Sequence, residues 1–148
     1  MLEDYKDDQF WLMKGDCLER MKEIESGSVD MILTDPPYGT TACKWDSIIP
    51  LEPMWEQLKR IIKPNGAIVL FGSQPFTSSL IMSNLKMFKY EQIWDKNKGT
   101  QPQLANIQPM KSHENILVFG VDSRGTDDYQ CRTDAMMVVS INKSDDTI

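Results

Sequence analysis

Histidine is nearly missing from this chain: His113 is the only one among 148 residues. That excludes a metal site built on a histidine pair, and any catalytic set that needs more than one histidine. Cysteine is scarce and odd in number. Cys17, Cys43 and Cys131 lie far apart, with neither a zinc spacing nor a disulfide framework. No metal is expected, and a reducing, cytoplasmic setting fits. No apolar run approaches the roughly 20 residues that span a bilayer, so no membrane association is expected. Positive charge is in deficit as well. The net charge is -6, whereas a self-sufficient nucleic-acid binder usually carries a basic face.

What is present suffices for a core. Hydrophobic residues make up 41% of the chain, and the length suits one domain. Residues 1–9 read as an acidic N-terminal arm, unlike a secretory signal. Asp4-Tyr5-Lys6-Asp7-Asp8 resembles part of an epitope tag; a native arm explains it equally.

The chain is organised around Asp35-Pro36-Pro37-Tyr38. Val29 to Thr34 precedes it, an apolar run dense enough for a buried strand. The four residues therefore sit past the carboxyl end of a strand, where open α/β sheets bind ligands. Asp35 offers carboxylate oxygens to an amino group. Pro36 and Pro37 have fixed φ and no N–H, so their carbonyls are held in set directions. Tyr38 offers a flat face to a planar base. The set suits a planar ring bearing an exocyclic amino group. A plain Pro-Pro turn, with Asp35 capping and Tyr38 packing, satisfies the same four residues.

Around that motif the pattern predicts strands at Phe10–Lys14, Val29–Thr34, Ala67–Phe71, Glu91–Asp95 and Asn115–Phe119. Helices are expected at Cys17–Ile24, Leu51–Lys63 and Phe76–Lys86. Asp16 is placed to cap the first helix. The first strand, helix and second strand suggest a right-handed parallel crossover, and the last two strands an antiparallel pair. Trp45 is read as anchoring its loop on the core. Residues 96–110 read as a long polar loop. Lys86, Lys89, Lys96, Lys98 and Lys111 are candidates for phosphate contacts or for a solvated face. Met136 to Ile141 could add a strand, and Asn142 to Ile148 reads as a frayed tail.

Gly15-Asp16-Cys17-Leu18 and Gly27 through Gly39 together resemble the opening of the DNA amino-methyltransferases. The closer resemblance is to the permuted, beta-type class of phage and prophage adenine-N6 enzymes, whose catalytic motif precedes the cofactor glycine motif. The likeness continues through Lys44-Trp45-Asp46, Ile62-Lys63-Pro64-Asn65-Gly66, Leu70 to Phe76, Ile93-Trp94-Asp95-Lys96 and His113 to Phe119. It covers residues 10–120 as a catalytic segment and leaves 121–148 as a divergent tail. The order and spacing of the pieces carry it, rather than any one piece.

The resemblance implies an α/β, Rossmann-like methyltransferase sheet, mostly parallel and incomplete. It implies S-adenosyl-L-methionine as cofactor and double-stranded DNA with a flipped adenine as substrate, as in restriction-modification systems. Asp35, Pro36, Pro37 and Tyr38 would be catalytic. Asp16, Asp35 and Pro36 would meet the cofactor; Tyr38, Gly39 and Lys96 would meet the substrate. Asp at the head of the motif resembles the adenine-N6 members more than the cytosine-N4 ones. Cytosine-N4, RNA or protein methylation are the alternatives within the chemistry. The chain departs from the family in one respect: its glycines never form the G-x-G loop that cradles the cofactor. That departure supports a different class of reading, a truncated inactive remnant or assembly module. A homodimer or a complementing chain would then be needed.

Overall fold

The computed structural model describes residues 4–100, 102 and 105–120. The readings at Met136–Ile141 and beyond lie outside these residues. The chain opens with two short strands, β1 (Tyr5–Lys6) and β2 (Trp11–Leu12), paired antiparallel. Helix α1 (Cys17–Met21) leads to β3 (Val29–Thr34). Helix α2 (Leu51–Ile61) runs directly into β4 (Ile62–Gly72). Helix α3 (Phe76–Ser83), β5 (Phe88–Thr100) and β6 (Lys111–Gly120) complete the described fold.

The expected strand at Phe10–Lys14 does not enter the main sheet. Trp11–Leu12 pairs with the N-terminal arm instead. The Asp7 carboxylate explains why: it accepts from the N–H groups of Gln9 (2.8 Å) and Phe10 (2.9 Å) and closes a turn. Those two bonds hold the Asp7 carboxyl below its ordinary range. Asp4 accepts from the Lys14 N–H and pairs with Arg20, tying the hairpin to α1.

The main sheet has the order β3-β4-β6-β5. Only β3 and β4 are parallel; β4–β6 and β5–β6 are antiparallel. The expectation of a mostly parallel sheet is therefore corrected to a mixed α/β sheet. The reason lies in the connections. Helix α2 carries the chain across from β3 to β4 in the same direction, the crossover that a parallel pair requires. Strands β5 and β6 follow each other as a long hairpin, which must be antiparallel, and β6 then inserts beside β4. The expected pairing of Glu91–Asp95 with Asn115–Phe119 is present, with Ile93 opposite Asn115. Much of the predicted long loop is strand: β5 runs on through Lys96 to Thr100.

Helix ends also shift. Helix α2 stops at Ile61 rather than Lys63, because Pro64 disfavours helical geometry in the residue before it. Helix α1 ends at Met21 rather than Ile24. The Arg60 guanidinium from α2 donates to the carbonyls of Met21 (2.6 Å) and Ile24 (2.8 Å), satisfying that end. Helix α3 ends at Ser83 rather than Lys86.

One face of the sheet holds the core. Ile68, Leu70, Leu117 and Phe119 are fully buried against Trp55 and Leu58 of α2 and Phe76 and Leu80 of α3. Leu18 and Met21 of α1 pack on the same cluster. The pairing register puts Met31, Leu33, Val69, Phe71, Ile116, Val118 and Trp94 on the opposite face. There Leu33 remains 55% exposed and Trp94 44%. No described helix is long and apolar enough to cross a membrane.

Candidate active site

Four chain segments meet at one end of the sheet. β3 ends at Thr34 and delivers Asp35, and β4 ends at Gly72 and delivers Ser73. β5, antiparallel to β6 as β4 is, brings Lys96 to the same end. β6 begins there with Lys111 to Asn115.

Asp35 is exposed, Pro36 is buried, and Pro37 and Tyr38 are half-buried. The Tyr38 hydroxyl donates to Asp35 Oδ1. The Tyr38 ring stacks on Phe76, with centroids 5.4 Å apart and planes 27° from parallel. Burial pushes the Tyr38 phenol well above its usual range; the bond to Asp35 and the charges of Asp35 and Glu114 push it further. The phenol therefore stays protonated at any physiological pH and acts as a donor.

The loop after Tyr38 is tightly built. Gly39 adopts a φ of 67°, and a Cβ there would come within 2.8 Å of the Ile48 side chain. Asp46 is buried beneath the loop. Its carboxylate accepts from the backbone N–H groups of Gly39 (2.8 Å), Thr40 (2.9 Å) and Thr41 (2.7 Å). Hydrogen bonding from the Thr41 side chain holds this carboxyl below its ordinary range. The loop N–H groups add to that effect, and burial opposes it. Trp45 does not anchor the loop on the core: it is 75% exposed. Its neighbour Asp46 does the anchoring, by hydrogen bonds rather than by packing.

At the end of β4, Ser73 is buried and accepts from Lys111. Thr77 and Asn115 are buried beside it, 3.4 Å apart, and Asn115 donates to Glu91. Lys96 pairs with Glu114 and lies 5.8 Å from the Trp94 ring centre. The Glu114 carboxylate is the lesser of the two charges that push the Tyr38 phenol up. His113 is exposed, opposite Asp95 in the strand pairing. Phe119 is in the core, whereas Trp94 meets Phe71 edge-on and is open to solvent.

Asp16 serves as the N-cap of α1. Its Oδ1 accepts from the N–H groups of Leu18 (2.9 Å) and Glu19 (3.3 Å). The five lysines do not gather on one surface. Lys86 and Lys89 flank the start of β5, and Lys96 and Lys98 lie near its far end, ~25 Å along the strand. A concavity of about 520 Å³ opens between Gly27, Asp30 and Lys63–Gly66. It lies at the amino end of β3, away from Asp35, where Lys63 bridges to Asp30 at 2.6 Å.

The chain is similar to the Type II methyltransferase M.HpaI of Haemophilus parainfluenzae, with 26% identity over 130 residues. That alignment covers 75% of this chain and 41% of M.HpaI. The structure of M1.HpyAVI in complex with SAM matches with a TM-score of 0.53 at 22% identity, covering 72% of this chain and 52% of that one. PvuII DNA methyltransferase, described as cytosine-N4-specific, matches with a TM-score of 0.55 at 14% identity. It is covered over 48% of its length, against 73% of this chain. These likenesses establish the fold, and the chain spans about half the length of the proteins that share it.

A profile described as the LytR_cpsA_psr family matches residues 78–148, just under half of the chain. The two findings disagree over the segment from α3 to β6. The strand pairing favours the methyltransferase likeness. β6 joins β4 through the Ala67–Gly120 to Gly72–Asn115 register, so the segment is part of the same sheet. Residues 1–77 alone are too few to make up the 72% of the chain that superposes.

Two residues important to this geometry carried no role in the sequence reading. Asp46 follows a Gly-Thr-Thr turn rich in free N–H groups, which is the signal that could have found it. Phe76 looked like an ordinary helix residue, and only the tertiary packing brings its ring to Tyr38.

Proposed function

We propose that this chain is the catalytic segment of an S-adenosyl-L-methionine-dependent DNA methyltransferase acting on an exocyclic amino group, adenine N6 in the first place. The observation that carries the reading is the Asp35–Tyr38 pair: an exposed carboxylate at the edge of a backed aromatic ring, past the carboxyl end of a strand.

The base must leave the duplex to reach this site. Its ring would stack on Tyr38, and its amino group would donate to Asp35 and to the Pro36 carbonyl, where the chain has no competing N–H. Those hydrogen bonds favour a more tetrahedral nitrogen with its lone pair free to attack. As the methyl–sulfur bond breaks and a neutral thioether leaves, the nitrogen would be left with an extra proton; Asp35 would accept it and, being exposed, release it to water. Catalysis here is positioning and electrostatics, with no covalent bond to the protein.

The donor supplies an electrophilic methyl on a cationic sulfur. The described residues suit that end of it, because the exposed Asp35 carboxylate presents negative charge to a cation. Asp35 and Pro36 would hold the sulfonium end. Asp16, whose Oδ1 makes both capping bonds, would meet the adenosine end. Gly39 and Lys96 would flank the substrate.

M.HpaI is a Type II methyltransferase and matches over 41% of its length. The activity proposed is therefore that of a whole methyltransferase, of which this chain spans the matched part. A homodimer and a complementing chain are the two arrangements to test. The fold likeness to a cytosine-N4-specific enzyme supports N4 transfer as the second reading. Labelled methyl transfer to duplex DNA, with adenine or cytosine as the sole amino-bearing acceptor, separates the two. Asp35→Ala is expected to cut transfer at least ~100-fold, on the scale of losing one positioned acid–base group, while circular dichroism stays unchanged. Retained turnover by that variant would sink the proposal.

A further inference from the structure

Tyr38 has two ring faces, and a second ring covers one of them. Phe76 stacks on that face, with centroids 5.4 Å apart and a 27° tilt. Phe76 is itself only 3% exposed, the first residue of α3, in one cluster with Leu80, Leu70 and Leu117. Its position is set from both ends. Thr77 donates its backbone N–H to the Ser73 carbonyl at 3.1 Å, fixing the first turn of α3 on the end of β4. A Cβ on Gly72 would sit 2.7 Å from Thr77 Oγ1, so β4 and α3 approach as closely as a glycine allows. The Phe76 ring is thus part of the rigid core, while Tyr38 is half-buried on a loop.

Tyr38 is held at a second point, where its hydroxyl donates to Asp35. A ring held by a stack on one face and a hydrogen bond at its edge has its plane fixed before any ligand arrives. Its other face is turned away from Phe76. A flat ring laid there would have its edge within reach of Asp35.

Resting on the function proposed above, we infer that Phe76 is a positioning residue for the base. It sets the plane of Tyr38, so that an amino-bearing planar ring stacks on the opposite face with its amino group at Asp35. Phe76 touches no substrate; its contribution is transmitted through Tyr38. A loosened Tyr38 would give a weaker platform, and it would also separate the stack from the acceptor that recognises the amino group.

The test uses the 148-residue chain and nuclear magnetic resonance, following the Tyr38 ring protons during titration with deoxyadenosine monophosphate. Thymidine monophosphate, which has no exocyclic amino group, is the comparison. Phe76→Met keeps a long apolar side chain and removes the ring; Phe76→Leu serves if that variant does not fold. Leu80→Val loosens the same cluster without touching the stack. Phe76→Met is expected to shift the Tyr38 ring protons downfield, through loss of the ring current. It should also weaken deoxyadenosine monophosphate binding by about three- to tenfold, the worth of one aromatic pair. Leu80→Val should leave both readouts near wild type. If Phe76→Met binds as tightly as wild type, or Leu80→Val loses as much, the inference fails and the base-binding reading stands. If the unaltered chain does not prefer deoxyadenosine monophosphate over thymidine monophosphate, both fail together.

Discussion

The two faces of the central sheet are built from alternate residues of the same strands, and they end in different states. Ile68, Leu70, Leu117 and Phe119 are fully buried beneath α2 and α3. Their neighbours on the other face include Leu33, still more than half exposed, and Trp94, nearly so. Composition does not separate the faces, since both carry aliphatic and aromatic side chains. The helices that pack on one face separate them. Apolar character on both sides of a strand is the pattern of a sheet covered on both faces. Among the described residues only one face is covered, and the Asp35–Tyr38 motif meets that side where Tyr38 stacks on Phe76.

The comparison breaks if the two faces respond alike to truncation. Leu117→Ala, on the covered face, should cost about 2–5 kcal/mol, the range for removing a fully buried leucine where neighbours cannot collapse into the gap. Leu33→Ala, on the open face, should cost about 0.5 kcal/mol or less. Urea midpoints at constant slope report both. Equal losses would mean that something covers Leu33 in solution.

A second substitution tests how closely the covered face is packed at the end where β4 meets α3. Gly72→Ala would place a methyl 2.7 Å from Thr77 Oγ1. Thr77 is buried and part of α3, so the clash cannot relax into solvent. The expected cost is about 1–3 kcal/mol, as for overpacking generally. Because α3 carries Phe76, the Tyr38 ring resonances should move as well. A neutral Gly72→Ala would show that α3 slides on β4 more freely than the contact implies.

Much of this arrangement was legible in the sequence, for reasons that differ by element. Helix α2 was visible because Met54, Trp55, Leu58 and Ile61 recur on one face, and all four are buried. The motif was visible because Asp35-Pro36-Pro37-Tyr38 follows a dense apolar run, and the run is β3, though as an edge strand with no fully buried residue rather than the buried strand expected. The hairpin of β5 and β6 was legible as a pair but not in length. Its outer halves are polar and exposed, so hydrophobic patterning stops before the strands do. The strand direction was missed because a local pattern gives a strand's existence, not which neighbour it inserts beside; β6 sits between β4 and β5. Trp45 was misjudged for a related reason. A tryptophan suggests an anchor, but its loop is held by the Asp46 carboxylate next to it.

That carboxylate gives the smallest effect on overall stability and the sharpest on the site. In the loop from Gly39 to Asp46, the first three amides are held by one anion. The folded Asp46 carboxyl titrates below its ordinary value. Its contribution is therefore fully present above the unfolded aspartate value of about 3.9 and is lost as pH falls through the lower folded value. Amide exchange at Gly39, Thr40 and Thr41 should accordingly stay slow, after correction for intrinsic rates, from neutral pH down to about pH 4. Protection should weaken below that. In Asp46→Asn the same amides should exchange faster at neutral pH and lose the acid-dependent step, because the amide side chain carries no charge to lose. The urea midpoint should move little, since the core beneath α2 and α3 is untouched. Unchanged exchange in Asp46→Asn would show that Gly39 packing on Ile48 holds the loop by itself.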